Sequence, residues 1–137
     1  MDGVFKIENR LNIGMELILE KIVTQDLSAQ AVGSGNVAVY ATPFMIAHME
    51  QAAEQAVIHG LSEGYGTVGT VVNVEHMAAT PIGMKVTAKA VLREIDGRRL
   101  VFDVEAHDER EQIGRGVHER FIIQKEKFMD KVNSKHI

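Results

Sequence analysis

An α+β fold is the expectation from this sequence: an antiparallel sheet of about five strands wrapped round one long central helix. Three observations carry it. The stretch from Pro43 to His59 is apolar nearly all round a helical wheel, which marks a buried helix rather than a surface one. Beyond Gly60 the pattern turns to alternation and stays so through four long segments joined by short turns. Short connections suit antiparallel neighbours, because a parallel pair needs a long crossover. One further alternating segment precedes the helix, and 137 residues suffice for a single domain with a real core.

Each element can be justified in turn. Residues 14–23, "GMELILEKIV", set Met15, Leu17, Leu19 and Val23 on one side of a strand. "TQDLSAQAVGSGNVAVYA" is small and polar and punctuated by Gly33 and Gly35. It reads as a loop or short turn before a brief extended piece at Val37–Ala41. Thr42 and Pro43 make an N-cap and N1 pair, a hydroxyl for an orphan N–H followed by a residue with no N–H to orphan. Gly60 is the stop. On the wheel Met45, Met49, Ala52 and Ala56 share one side and Ile46, Ala53 and Val57 the other.

"TVGTVVNVEHM" then places Val68, Thr70, Val72, Val74 and His76 on one strand face. "MKVTAKAVLREI" alternates Met84, Val86, Ala88, Ala90 and Leu92 against polar neighbours, and Asp96-Gly97 reads as a hairpin turn. Leu100, Phe102, Val104 and Ala106 form the inner side of the next strand, and a last one runs from about Ile113 to Gln124. The tail "KEKFMDKVNSKHI" is charged and reads as a short helical turn or a frayed end. Residues 1–13 and 129–137 are expected to be peripheral to one domain spanning 1–137. A sheet curled round a central helix is the architecture called the hotdog.

Composition narrows the function. The net charge is −4 with no basic block, so nucleic acid is not an expected partner. With no cysteine there is no disulfide, thiolate metal site or cysteine nucleophile. No apolar run could span a membrane and the N-terminus does not resemble a signal peptide, so a cytoplasmic protein is expected. The six histidines show no metal-ligand spacing, and no metal is expected. "GYGTVG" fits G-x-G-x-x-G but follows a helix and precedes a strand, the reverse of the dinucleotide fingerprint.

Three polar residues stand in unexpected places. Glu50 lies in the Ile46–Ala53–Val57 sector of the helix. Its bland reading is a solvated strip shared with Glu54, one turn on; its functional reading is a pocket wall poised for acid–base work. Thr42 is by default the helix cap, although amides at a helix start can also stabilise developing negative charge. His76 ends its strand on the face of Val72 and Val74, where a hydrogen-bonded edge residue is commoner than a catalyst. Taken singly, each favours its bland reading.

Together they fit a known pattern. "ATPFMIAHMEQAAE", "GTVVNVEHMAATPIG", "REIDGRRLVFDVEAHDE" and "GRGVHERFIIQKEKF" resemble, in order and spacing, the fluoroacetyl-CoA thioesterase-type branch of the hotdog superfamily, from about Gly14 to Phe128. The resemblance implies Thr42, Glu50 and His76 as the catalytic set and Gly69 as the point where backbone nears the thioester. It also makes Arg120, in "GVHER", the first candidate among the basic residues to meet the CoA phosphates. It implies hydrolysis of an acyl-CoA to a carboxylic acid and free CoA, with no metal and no cofactor beyond the coenzyme A of the substrate. The loop "AVGSGNVAV" carries no bulky aromatic to close over a very small acyl group, so a short or medium acyl chain is expected. A catalytically silent acyl-CoA-binding hotdog, and a thioesterase acting on acyl-carrier-protein, stay open as alternatives.

One geometric expectation needs only the spacing. Thr42 and Glu50 are eight residues apart, about 12 Å along a helix at roughly 1.5 Å per residue. Both can reach one carbonyl only if one of them comes from a second chain. A homodimer, or a tetramer built of dimers, with composite sites follows.

Overall fold

The computed structural model describes residues 10–136; residues 1–9 of the expected N-terminal periphery lie outside the described residues. The elements are β1 (Glu16–Ile22), α1 (Ala29–Val32), α2 (Thr42–Val57), β2 (Tyr65–His76), β3 (Lys85–Asp96), β4 (Arg99–His107), β5 (Gln112–Gln124) and α3 (Lys125–Asn133). The five strands form one sheet in the order β1-β3-β4-β5-β2, every pair antiparallel. The two early strands therefore sit at the edges, and the three hairpin-linked strands fill the middle.

The alternation of β3 and β4 does what the sequence asks of it. Val86, Ala88, Ala90 and Leu92 from β3, and Leu100, Phe102, Val104 and Ala106 from β4, are all buried against Met45, Met49, Ala52, Ala53 and Val57 of α2. Burying each of Met45, Met49 and Val57 contributes about 1.5–3 kcal/mol relative to leaving it in water. Small residues on both sides let the helix lie close to the sheet. A Cβ on Gly114 of β5 would fall 2.5 Å from the Met45 sulfur.

The helix is not covered all round, as its wheel suggested. Pro43 and Ala47 are exposed, and Ile46, Glu50 and Glu54 are half-buried. The sheet covers the methionine–alanine side fully and the Ile46–Glu50 side only in part. Several local expectations also change. The segment expected to be a loop contains the turn of helix α1, because Ser28 Oγ accepts from the Ala31 N–H and Gly33, at φ +84°, ends it. Four residues are too few to show helical periodicity. The hairpin loop is Gly97-Arg98, one residue later than expected, with glycine at φ +62° in the first central position. The charged tail forms α3, started by the Gln124 side chain accepting from the Lys127 N–H at 2.7 Å.

The change that matters most is in β2. Gly69 pairs with Arg120 and Val71 with Glu119, so Thr70 is an extra residue, a β-bulge. The bulge breaks the alternation. Val68 is opposite Phe121 on the outer face, whereas Gly69, Val72, Val74 and His76 are opposite Arg120, His118, Gly116 and Gly114 on the face toward α2. The expected face of Val68, Thr70, Val72, Val74 and His76 is thus corrected at its first two members, and Gly69 joins His76.

Gly116 tests how tightly β2 and β5 are laced. A Cβ there would collide with the Asn73 carbonyl oxygen and lie 2.6 Å from Val74 Cα, backbone atoms that cannot turn aside. Gly116→Ala is expected to cost about 1–3 kcal/mol of stability, read as a lower urea midpoint with an unchanged m-value. An unchanged midpoint would show that the ladder yields locally.

Candidate functional site

Polar side chains gather at two places along α2. The first is its start. The N-cap position is Ala41, Pro43 follows within the first turn, and among the described residues no side chain caps the helix. Thr42 is therefore not the cap that the sequence suggested. Its hydroxyl is exposed and lies 2.7 Å from His76 Nδ1. The amides of Phe44 and Met45 both donate to the Ala41 carbonyl at 3.0 Å, so they do not form the anion site expected at the helix start.

His76 is half-buried, and burial lowers its pKa below the ordinary imidazole value, with the Ala78 backbone acting in the opposite sense. A ring held neutral can accept the Thr42 proton at Nδ1. Among the described residues its buried Nε2 meets no hydrogen-bond partner. Behind it stands Tyr40, edge-on to His76 with ring centroids 6.3 Å apart and stacked on His48 at 5.7 Å. Burial raises the Tyr40 pKa, so the phenol keeps its proton and donates it to His48 Nδ1. Burial, and secondarily the charge of Lys21, lower the pKa of His48, which leaves that nitrogen an acceptor. A pocket of about 340 Å³ opens beside Thr42 and His76, with Gly35, Val37, Val39 and Ala78 in its lining.

The second place is about two turns further along the helix, at Glu50. This carboxylate faces β2 at the bulge, where a Cβ on Gly69 would lie 2.7 Å from Glu50 Oε2. Glycine is what lets the carboxylate approach the strand. Arg120 Nη1 is 3.9 Å from the same oxygen. Arg120 is 7% exposed, and its guanidinium also donates from Nε to Thr67 Oγ1 at 2.7 Å and from Nη2 to the Thr67 carbonyl at 3.0 Å. Burial lowers its pKa, while Glu50 and Glu54 pull it back up. The expectation that Arg120 stands ready for CoA phosphates is corrected: it lies beneath the site, engaged with Thr67 and Glu50, and not on a rim open to a nucleotide.

Sequence reasoning missed His118. It is buried beside Arg120, with Nδ1 2.7 Å from the Val71 carbonyl and Nε2 3.2 Å from Arg120 Nη1. The signal was available, since alternation along β5 puts His118 on the same inward face as Gly114 and Gly116. A histidine on the inward face of a central strand needs partners.

Thr42–His76 and Glu50–Gly69 are separate clusters within one chain. The helix sets about 12 Å between Thr42 and Glu50. About 20 Å of strand separates Gly69 from His76, at roughly 3.3 Å per residue. Among the described residues no group of three or more histidines and carboxylates could hold a metal ion, and no helix is long and apolar enough to cross a membrane.

Known proteins share both sequence and shape with this chain. A family model for the fluoroacetyl-CoA-specific thioesterase matches residues 23–126. The fluoroacetyl-CoA thioesterase of Streptantibioticus cattleyicolor is 48% identical over 97 residues, which are 71% of this chain and 70% of that protein. A solved structure of the fluoroacetyl-CoA thioesterase FlK superposes with a TM-score of 0.86 at 37% identity, covering 93% of this chain and 98% of its own. A hypothetical protein from Thermus thermophilus, a thioesterase superfamily member, gives 0.86 at 31% identity, covering 93% of this chain and 94% of its own. Sequence and fold agree over most of the chain's length: it belongs to the fluoroacetyl-CoA-specific thioesterase family and is a thioester hydrolase on a hotdog fold.

Proposed function

We propose that the protein hydrolyses a short or medium acyl-CoA to a carboxylic acid and free CoA, at sites shared between two copies of the chain. The observation that carries this reading is the Thr42 hydroxyl set 2.7 Å from a neutral His76, beside a pocket of mixed lining that includes Ser34, Val37, Val39 and Met77. The Thr42 oxygen attacks the thioester carbonyl carbon as His76 takes its proton. The C–S bond then breaks, the sulfur receives that proton, and an acyl-threonine is left. Water, oriented by Glu50 and deprotonated by His76, releases the acid and restores the hydroxyl. Direct attack by the Glu50 carboxylate or by a Glu50-held water would use the same residues. A heavy-oxygen single turnover separates the routes, because label entering Glu50 marks carboxylate attack.

The second copy follows from what one chain leaves open. Thr42 and Gly69 are exposed, and β2 is an edge strand with Val71 44% and Val72 40% exposed in its middle. A twelve-residue edge with apolar side chains is a template for pairing. Antiparallel pairing of β2 with its own copy, about a two-fold near Val72 and Asn73, sets the Gly69 end of one strand beside the His76 end of the other. Thr42 and His76 of one protomer then work with the partner's Glu50. Arg120, 3.9 Å beneath Glu50, orients that carboxylate.

Thiol release from a panel running from acetyl- and fluoroacetyl-CoA through medium chains to phenylacetyl-CoA tests the activity. Turnover on at least one member is expected, with losses of about 10²-fold or more in Glu50→Ala and His76→Ala. Binding without turnover across the panel would favour a silent acyl-CoA carrier, and turnover only on acyl-carrier-protein would move the substrate class. Composite sites make a sharper test. Equal mixing of the two inactive variants, after exchange of subunits, should restore about a quarter of native activity, because half the dimers then hold one intact site of two. No restoration, or an active monomer in sedimentation, would place the whole site in one chain.

The pH profile follows from His76. Its lowered pKa keeps it a free base through neutrality, so kcat/KM should stay level down through the ordinary imidazole value of about 6.5 and fall only below it. A fall already centred above that value would mean that the essential base is another group.

A further inference from the structure

His118 has no part in the steps above, yet it touches both features that shape the Glu50 half of the site. It is 1% exposed on β5, its ring stacked on Phe102 with centroids 6.3 Å apart. Its Nδ1 lies 2.7 Å from the carbonyl of Val71, the residue that resumes the ladder after the bulge. Its Nε2 lies 3.2 Å from Arg120 Nη1. A guanidinium offers only donors, so Nε2 must accept; a carbonyl only accepts, so Nδ1 must carry the hydrogen. One state satisfies both contacts, the neutral ring with its proton on Nδ1. The same ring walls the space behind Gly69, where a Cβ would meet His118 Cε1 at 3.2 Å.

We propose that His118 is a positioning residue for the thioesterase reaction, a neutral clamp that fixes the Gly69–Val71 bulge with one nitrogen and, through Arg120, fixes Glu50 with the other. The proposal rests on the reading that Glu50 acts at the thioester. Arg120 commits Nε and Nη2 to Thr67, so Nη1 is the nitrogen that His118 and Glu50 share. A proton added at Nε2 would turn that acceptor into a donor facing a cation. Nη1 would be displaced, and the partner of Glu50 with it. The charged groups around the ring are Arg120 and Glu119 on its own strand and Glu50 from α2; β2 and β4 meet it with the Val71 backbone and the Phe102 ring. Burial is the largest influence and, with Arg120, keeps the ring neutral, against the Val71 carbonyl and the two carboxylates.

Two substitutions in the full-length protein test the clamp. His118→Phe keeps the ring stack and removes both hydrogen bonds. It is expected to lower kcat by about 10²-fold while KM for the best acyl-CoA changes by no more than about threefold. His118→Gln has no proton to gain, so the acid limb of its kcat/KM profile should carry one ionisation fewer than the native limb. Native kcat in His118→Phe, or a native acid limb in His118→Gln, would overturn the proposal. If the Phe variant does not fold, the Gln profile decides alone. Glu50→Ala keeps the two claims apart: full activity there removes the reading on which the clamp rests, whereas an inactive Glu50→Ala beside a fully active His118→Phe removes the clamp alone.

Discussion

Helix α2 lies directly on the sheet, and the position of every functional side chain depends on that contact. Met45 and Met49 reach down to Gly114, and Ala52 and Ala53 meet a surface that includes Ala88 and Ala90. Methionine can fill an irregular gap, and small residues let two backbones approach. Larger residues at Gly114 or Ala52 would lift the helix. Thr42 would then move away from His76 and Glu50 away from the bulge, because both pairs span from helix to sheet. Packing in the apolar half of the interface thus sets hydrogen-bond distances in the polar half.

The polar half is arranged so that its buried members have partners. Tyr40 donates a hydrogen bond to His48, His118 bridges Val71 and Arg120, and Arg120 holds Thr67 and Glu50. An unpaired group in these places would cost about 1–3 kcal/mol, so partial networks are disfavoured. Against that background the bare Nε2 of His76 stands out. For the base proposed above, burial favours the neutral form, against the opposing effect of the Ala78 backbone.

What the sequence made legible follows from how local each signal is. The inward sides of β3 and β4 were readable from alternation alone, because each of those strands is buried through its middle and Val86 to Leu92 and Leu100 to Ala106 repeat without interruption on the core side. The helix was readable from Pro43 and Gly60, but its half-open side was not, since the wheel cannot say how far a sheet extends. Thr42 was misjudged as a cap because capping is judged from residue type, whereas the hydroxyl's partner, His76, is 34 residues away. Glu50 was conspicuous as a charge among apolar neighbours. Arg120 was singled out through resemblance and its depth was hidden, as depth depends on register. The bulge at Thr70 was invisible, because "VGTVV" reads as an unbroken strand and only pairing with β5 reveals the extra residue.

That extra residue links chemistry to assembly. Without it, strict alternation would put Gly69 on the outer face while His76 stayed inward, and Glu50 would confront a side chain from Val68 or Thr70. With it, Gly69 faces Glu50 at one end of β2 and His76 faces Thr42 at the other, on a strand whose outer edge is unpaired among the described residues. A bulge also increases local twist, which spoils continuous pairing at its own position. A second copy joining along this edge would therefore grip best beyond the bulge, at Val71 to Val74, where the exposed valines lie. The strand that could least tolerate exposure is in this way the one on which both half-sites depend. In the proposed dimer its two ends become adjacent because two copies run in opposite directions, so pairing the edge and completing the site would be one event.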